Sequence, residues 1–171
     1  YCDAIIYEAS VRDFTNGKTF KSFVEEQDDI GFSYVKKLGV THIQLLPTFD
    51  FSSVNERDPS LMYNWGYDVN QWMALENSYS SDLSKPVQGI LDLQSLVNKC
   101  HKAGIRVNLD VVYNHVFELE SSCLQQLVPY YYFQLNHDHT FSNATMCGND
   151  VDSKRFMCQK LIIDSCLYLV D

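Results

Sequence analysis

The sequence predicts an α/β fold with parallel strands, and it favours part of a (β/α)8 barrel over a doubly wound sheet. Short segments rich in β-branched residues alternate with segments of helical spacing, and this alternation calls for parallel strands joined by right-handed crossovers. The third predicted strand is polar on one face, which is unusual in a sheet covered on both sides but common at a barrel mouth. A complete barrel needs about 250 residues, so we expect the 171 residues to form less than half of one.

The first strand and the first helix are predicted from short local patterns. Residues 4–12 (AIIYEASVR) are rich in Ile, Tyr and Val and are followed by a loop at 13–18, which is typical of a strand. Residues 31–38 (GFSYVKKL) have apolar side chains at helical spacing, and Gly39 follows them. Glycine is a natural helix terminator, so we expect a short helix that ends there.

The second strand leads into a long polar segment. Residues 41–46 (THIQLL) form an apolar run that Pro47 ends. The stretch 48–89 is polar and too long for a plain connection, and loops of such length are usually functional. Residues 91–103 then carry an apolar stripe at helical spacing and are closed by Gly104.

The third strand, residues 105–113 (IRVNLDVVY), alternates apolar and polar side chains. Arg106, Asn108 and Asp110 therefore share one face of the strand. We expect the chain to be organised as the first three strands and two helices of the barrel, then an irregular excursion after the third strand, then a third barrel helix with the chain ending before a fourth strand. These parts cover residues 1–113, 114–152 and 153–171, and the amphipathic pattern of the last helix runs from 154 to 170.

Composition excludes some ligands and allows others. The net charge is −9 and the pI is about 4.9, so nothing here would neutralise the phosphates of a nucleic acid. Aromatic residues make up 13% of the chain, including 11 tyrosines. This usage is compatible with a neutral saccharide ligand, since sugar rings pack on aromatic faces, but tyrosines that simply fill the core and loops would give the same composition.

The six cysteines indicate a reducing compartment. They show no CxxC pair and no Cys/His spacing of a zinc site, so we expect buried free thiols rather than disulfides. Cys158 and Cys166 are expected on one face of the last helix. We find no signal peptide and no apolar stretch of about 18 residues, and therefore predict a cytoplasmic protein without a membrane partner.

Two motifs carry the chemistry. Residues 110–115 (DVVYNH) run from an apolar strand into a polar cluster, where a histidine beside an acid can donate a hydrogen bond to a ligand hydroxyl. Residues 63–68 (YNWGYD) combine aromatic rings, a glycine and an acid, which suits a sugar-stacking surface. The alternatives are a strand end that only satisfies loop backbone groups, and an aromatic loop that folds on itself.

Together, these motifs resemble a known family. DVVYNH resembles the first conserved region of the α-amylase superfamily (glycoside hydrolase family 13), whose catalytic domain is a TIM barrel. YNWGYD is similar to a signature of type I pullulanases and glycogen-debranching enzymes. Other segments resemble the same enzymes in the same order, so the resemblance covers essentially the whole chain; they are YEASVRDF, LGVTHIQLLP, VPYYYF and GNDV.

The resemblance implies retaining hydrolysis of α-1,6-glucosidic branch linkages in pullulan, glycogen, starch or limit dextrins. Tyr67 would stack on the glucose ring before the scissile bond, and His115 would hydrogen-bond the same sugar. Asp110 would brace the barrel mouth, and Asp68 would hold His115 or Tyr67 in place. Asn114 matches a calcium-binding position of many α-amylases that pullulanases do not reliably keep, so we expect neither a metal nor another cofactor.

By the same resemblance, the catalytic nucleophile and acid/base lie beyond Asp171, so no catalytic residue is assigned here. We expect the 171-residue chain alone to be inactive and, with two open sheet edges, prone to self-association. The alternative from another class is a non-catalytic α-glucan-binding fragment or pseudo-enzyme. A branching or isoamylase-type relative is disfavoured by YNWGYD.

Overall fold

The computed structural model describes residues 3–27, 29–147 and 149–170, which fall into two compact units. Unit 1 comprises the described residues within Tyr1–Thr48, Val54–Trp65 and Leu75–Val111, and unit 2 those within Phe49–Ser53, Gly66–Ala74 and Val112–Asp171. In chain order, the strands and helices are β1 (Ile6–Ala9), α1 (Phe20–Glu25), α2 (Gly31–Leu38), β2 (His42–Leu45), β3 (Phe49–Phe51), β4 (Val69–Leu75), α3 (Gln88–Lys102), β5 (Arg106–Leu109), β6 (His115–Val116), α4 (Cys123–Leu127), β7 (Asn149–Asp150) and α5 (Phe156–Val170), with a 3-10 turn at Asn77–Tyr79.

Unit 1 is built on a three-stranded sheet in the order β1-β2-β5. Both neighbouring pairs are parallel, and Ile43 of the central strand lies opposite Tyr7 on one side and Val107 on the other. The prediction of three parallel strands is therefore confirmed, and the strands lie side by side in chain order. Each strand has four residues, fewer than the apolar runs suggested, because the flanking residues belong to turns and loops.

The helices of unit 1 pack around this sheet. Helix α2 has the predicted bounds, and Gly39 ends it with a left-handed backbone at φ 69°. Gly31 begins it at φ +55°, and a Cβ there would lie 2.6 Å from the Phe23 carbonyl oxygen, so only glycine fits. Helix α1 was not predicted. It is set by a capping box between Thr19 and Ser22, which satisfies two otherwise unpaired backbone donors.

The core of unit 1 lies between the sheet and these helices. Aromatic rings make up much of it, with Phe14 within 6 Å of three others. Helix α1 contacts both α2 and α3, and α3 contacts β5. Fully buried side chains include Val11, Phe20, Phe23, Val35, Ile43, Leu45 and Leu96.

Unit 2 has small strands around its own apolar cluster. Strand β3 pairs with β4, and β6 pairs with β7, so the long segments 48–89 and 114–152 contain regular structure that the sequence did not predict. Helix α5 begins two residues later than predicted and packs Cys158 and Ile162 into the cluster. The buried members of the cluster are Val116, Leu119, Phe133, Val151 and Cys158.

One expectation about the cysteines was wrong. Cys158 is buried, whereas Cys166 is exposed. Eight residues turn a helix about 80° past two full turns, at 3.6 residues per turn, so the two thiols do not share a face. The five cysteines in the described ranges are free thiols, and Cys2 lies outside those ranges. Within the same ranges, no helix has the length and apolar character needed to span a membrane.

Candidate functional site

Asp110 lies at the carboxyl end of the parallel sheet in unit 1. It directly follows β5, and its backbone N–H donates to the Leu45 carbonyl oxygen at 3.0 Å, at the end of β2. Its side chain is half-buried. The edge of a parallel sheet where strands end is where α/β proteins place their ligands, so Asp110 occupies a position suited to a binding site.

Tyr67 and Asp68 lie directly before β4 in unit 2. Gly66 precedes them with a backbone φ of 94°, a conformation that favours glycine. The Asp68 carbonyl accepts a hydrogen bond from Ser52 N–H at 2.8 Å, which fixes this backbone on the residue that follows β3. Tyr67 has 37% of its surface exposed, so part of its ring is available for a sugar to stack on.

His115 is held in β6 with only 5% of its surface exposed. Its ring Nδ1 is 3.1 Å from the Asn114 side-chain oxygen. Because an amide oxygen only accepts, Nδ1–H of His115 is the donor in this hydrogen bond. Asn114, to which the sequence analysis gave no such role, is therefore the residue that fixes the tautomer of His115.

The backbones of the two motif segments meet in unit 2. Phe117 N–H donates to the Val69 carbonyl at 2.8 Å, which joins the residue after Asp68 to a residue two positions after His115. Trp72 of β4 donates from Nε1 to the Val112 carbonyl at 2.9 Å and packs edge-on against Tyr113. The segment carrying Tyr67 and Asp68 and the segment carrying His115 are thus tied together at two places.

Arg12 and Asp13 hold the start of the YNWGYD motif within unit 1. The Arg12 guanidinium donates to the carbonyls of Met62 (2.5 Å) and Pro59 (2.6 Å) and lies over the ring of Tyr63. The Tyr63 hydroxyl donates to the Asp13 carboxylate at 2.5 Å, and this bond raises the pKa of Tyr63. These contacts span about fifty residues of sequence, so no local pattern could reveal them.

The same arrangement presents Trp65 on the surface. Its indole Nε1 donates to the Tyr63 hydroxyl at 2.6 Å, which satisfies its polar edge, while 58% of the residue is exposed. The polar atoms of Tyr63 and Trp65 thus bond within the protein, as expected for an aromatic loop that folds on itself. The Trp65 ring is still exposed to solvent, as expected for a surface on which a sugar stacks.

Asp150 is a buried acid of unit 2 that the sequence analysis did not single out. Its carboxylate accepts hydrogen bonds from Ser142 Oγ (2.5 Å), Ala144 N (2.7 Å), Thr145 N (3.1 Å) and Thr145 Oγ1 (2.6 Å). Burial of the carboxyl acts to raise its pKa, but these hydrogen bonds outweigh that effect and lower the pKa of Asp150 to about 2.

The side chains of the described ranges provide no evident metal site. No group of three or more His, Cys, Asp and Glu residues within 3–27, 29–147 and 149–170 is arranged to hold a metal ion.

Comparisons with known proteins relate the chain to one family. The model of the α-amylase catalytic domain matches residues 31–160. The pullulanase of Bacillus subtilis is 38% identical over 99% of this chain, which spans 26% of that protein. Pullulanase A of Streptococcus pneumoniae is 38% identical, again over 99% of this chain and 14% of the relative.

Solved structures give the same relationship. The pullulanase of Anoxybacillus sp. LM18-11 superposes with a TM-score of 0.92 at 43% identity, covering 96% of this chain and 26% of that one. A pullulanase of Paenibacillus barengoltzii, solved with maltohexaose and α-cyclodextrin, gives 0.92 at 41% identity over 98% of this chain and 28% of that one. The chain thus spans about a quarter of these two structures. Because the family match covers most of its length, the chain belongs to the α-amylase catalytic-domain family.

Proposed function

We propose that this chain supplies the glucan-binding part of a retaining glycoside hydrolase that cleaves α-1,6-glucosidic branch linkages in pullulan, glycogen, starch or limit dextrins. The observation that carries the proposal is the joining of the YNWGYD and DVVYNH segments in unit 2 by the Phe117–Val69 hydrogen bond. The proposal is also supported by the pullulanases of Bacillus subtilis and Anoxybacillus sp. LM18-11, which match nearly the whole chain.

In this proposal, Tyr67 and His115 bind one glucose unit. The exposed part of the Tyr67 ring stacks on the apolar face of the sugar, and His115 uses Nε2, since Nδ1 is engaged by Asn114. A contact that strengthens as the ring flattens toward an oxocarbenium ion lowers the barrier rather than only tightening binding. Asp68 holds His115 or Tyr67 in place, and Asp110, directly after β5, braces the strand ends.

The wider architecture is proposed to be a TIM barrel. The parallel order β1-β2-β5 supports these as its first three strands, with residues 114–152 as an excursion after the third strand. The two catalytic carboxyl groups, about 5–5.5 Å apart in retaining enzymes, would come from segments other than these 171 residues. No cofactor and no nucleic acid take part. The free thiols of the described residues support a reducing, cytoplasmic location.

The first experiment tests glucan binding by the 171-residue chain. Binding of maltotriose is followed by intrinsic fluorescence for the unaltered chain, Tyr67→Ala and His115→Ala. Each change removes a stacking surface or a hydrogen bond and should weaken binding about tenfold, equivalent to about 1.4 kcal/mol. Tyr168→Ala is the matched control, because Tyr168 is 40% exposed against 37% for Tyr67. Equal binding by Tyr67→Ala and Tyr168→Ala would refute the assignment.

The second experiment separates the enzyme from a non-catalytic glucan-binding protein, the alternative function. Release of reducing sugar from pullulan is measured for the 171-residue chain and for the protein expressed from the complete gene. We expect none from the former and release from the latter, since loss of each catalytic group costs orders of magnitude in rate. Glucan binding without hydrolysis by the complete protein would favour the pseudo-enzyme.

A further inference from the structure

We propose that Asp150 is a positioning residue for His115, through a network that fastens residues 142–145 to the strand paired with β6. The inference rests on the proposed role of His115 in binding glucan. Asp150 itself is not proposed to touch the sugar.

Backbone pairing connects the two residues directly. In the antiparallel pair of β6 and β7, His115 lies opposite Asp150. The next residue of β7, Val151, donates from N–H to the Asn114 carbonyl at 3.0 Å. The pair is only two residues long on each side, so few bonds fix the backbone that carries both the imidazole and the Asn114 side chain that sets its tautomer.

The Asp150 side chain adds hydrogen bonds that hold β7 in place, beyond those of the short β6–β7 pair. Its two oxygens accept four hydrogen bonds from Ser142, Ala144 and Thr145. A carboxylate offers about four lone-pair positions, so this network uses its accepting capacity and leaves none for a ligand. With only 3% of its surface exposed, Asp150 can influence binding only through what it holds in place.

Backbone hydrogen bonds also hold Asp150 in place. Gln134 N–H donates to the Asp150 carbonyl at 2.9 Å, and Asp150 N–H donates to the Ser142 carbonyl at 3.2 Å. These backbone bonds remain when the side chain is changed. Replacing the carboxylate should therefore loosen the network and shift His115 without dismantling unit 2.

The first test needs no glucan. Imidazole resonances of a ¹⁵N-histidine-labelled sample report the tautomer and environment of His115, which is assigned by its absence in His115→Ala. Asp150→Asn replaces one accepting oxygen by an N–H₂ group, which faces the N–H and O–H donors that now bond to the carboxylate. Thr145→Val removes one of these donors, the Thr145 hydroxyl, and keeps the shape of the side chain. Both should shift the His115 resonances, the first more than the second.

Asp138→Asn is the matched control. Asp138 also accepts from a threonine hydroxyl and a backbone N–H, those of Thr140, but it lies in an exposed turn, and within the described ranges its carboxylate makes no hydrogen bond to β6 or β7. The Asp138→Asn change should therefore leave the His115 resonances unchanged. If Asp150→Asn unfolds the protein, Thr145→Val decides the matter. Unchanged His115 resonances in the folded variants would overturn the proposal.

The second test is a double-mutant cycle with maltotriose and the protein expressed from the complete gene. Asp150→Asn should weaken binding about tenfold when His115 is present and less than twofold when it is alanine, because residues that act through one another are not additive. The same loss in both backgrounds would show that Asp150 does not act through His115. If the unaltered protein binds no maltotriose, the proposed function fails, and the resonance test still judges the role of Asp150.

Discussion

Acidification should remove a defined part of the stability of unit 2 through Asp150. The ordinary pKa of the group is 3.8 and the folded value is about 2, a difference that corresponds to about 2 kcal/mol at 1.36 kcal/mol per pKa unit. A depressed folded pKa means that this contribution is fully present above the unfolded pKa. It is lost as the pH falls from about 4 toward 2, and about half is gone by pH 3.

The assay compares the unaltered chain with Asp150→Asn in urea unfolding at pH 6 and pH 3. Both carry Trp65→Phe, so that Trp72, the other of the two tryptophans, reports on unit 2. The difference in unfolding free energy should narrow by about 1 kcal/mol at the lower pH. Other acids with lowered pKa values, such as Asp138, are present in both proteins and cancel. A difference that is independent of pH would refute the reasoning, because the ionised carboxylate would then contribute nothing.

Three further outcomes are expected. The 171-residue chain should associate in sedimentation velocity, since exposed apolar side chains and open sheet edges favour pairing; a stable, cooperatively melting monomer would contradict this. All six cysteines should react with an alkylating reagent after denaturation without reductant, and fewer than six labels would indicate disulfides. In the native protein, the exposed Cys147 and Cys166 should be alkylated faster than the buried Cys158. Arg12→Ala should increase proteolysis at residues 59–65 more than Arg12→Lys, because lysine can keep one of the two carbonyl bonds; equal cleavage would mean that the guanidinium does not hold the loop.

Local sequence patterns predicted the three parallel strands and helix α2. Strands β1 and β2 lie in short segments rich in apolar residues, β5 alternates apolar and polar side chains, and α2 has helical spacing ended by a glycine. Helix α1 escaped prediction because six residues are too few to show a period, and its signal was the pairing of Thr19 with Ser22. Strands β3 and β4 pair with each other, inside a polar stretch of sequence that is typical of a loop.

Sequence patterns likewise predicted the candidate binding residues but not the residues that hold them in place. The residue types and motif order identified Tyr67, Asp68, Asp110 and His115 as candidates, since strand ends gather polar groups in this architecture. The residues that hold such groups were not visible in the sequence. Arg12 reaches carbonyl groups about fifty positions away, and a carbonyl is present at every residue, so no pattern of side chains marks the partner.

The saturated carboxylate of Asp150 also has a consequence for how this protein can vary. Its donors end at Thr145, and the next side chain, Met146, is 87% exposed. Residues inserted after Met146 would therefore lengthen the tip of the loop while the anchored base stays in place. Lengthening a loop whose ends are fixed costs little free energy, about 0.6 kcal/mol for each doubling of its length. This tip is thus a position where related enzymes could gain or lose residues, and so change their exposed surface, without disturbing His115.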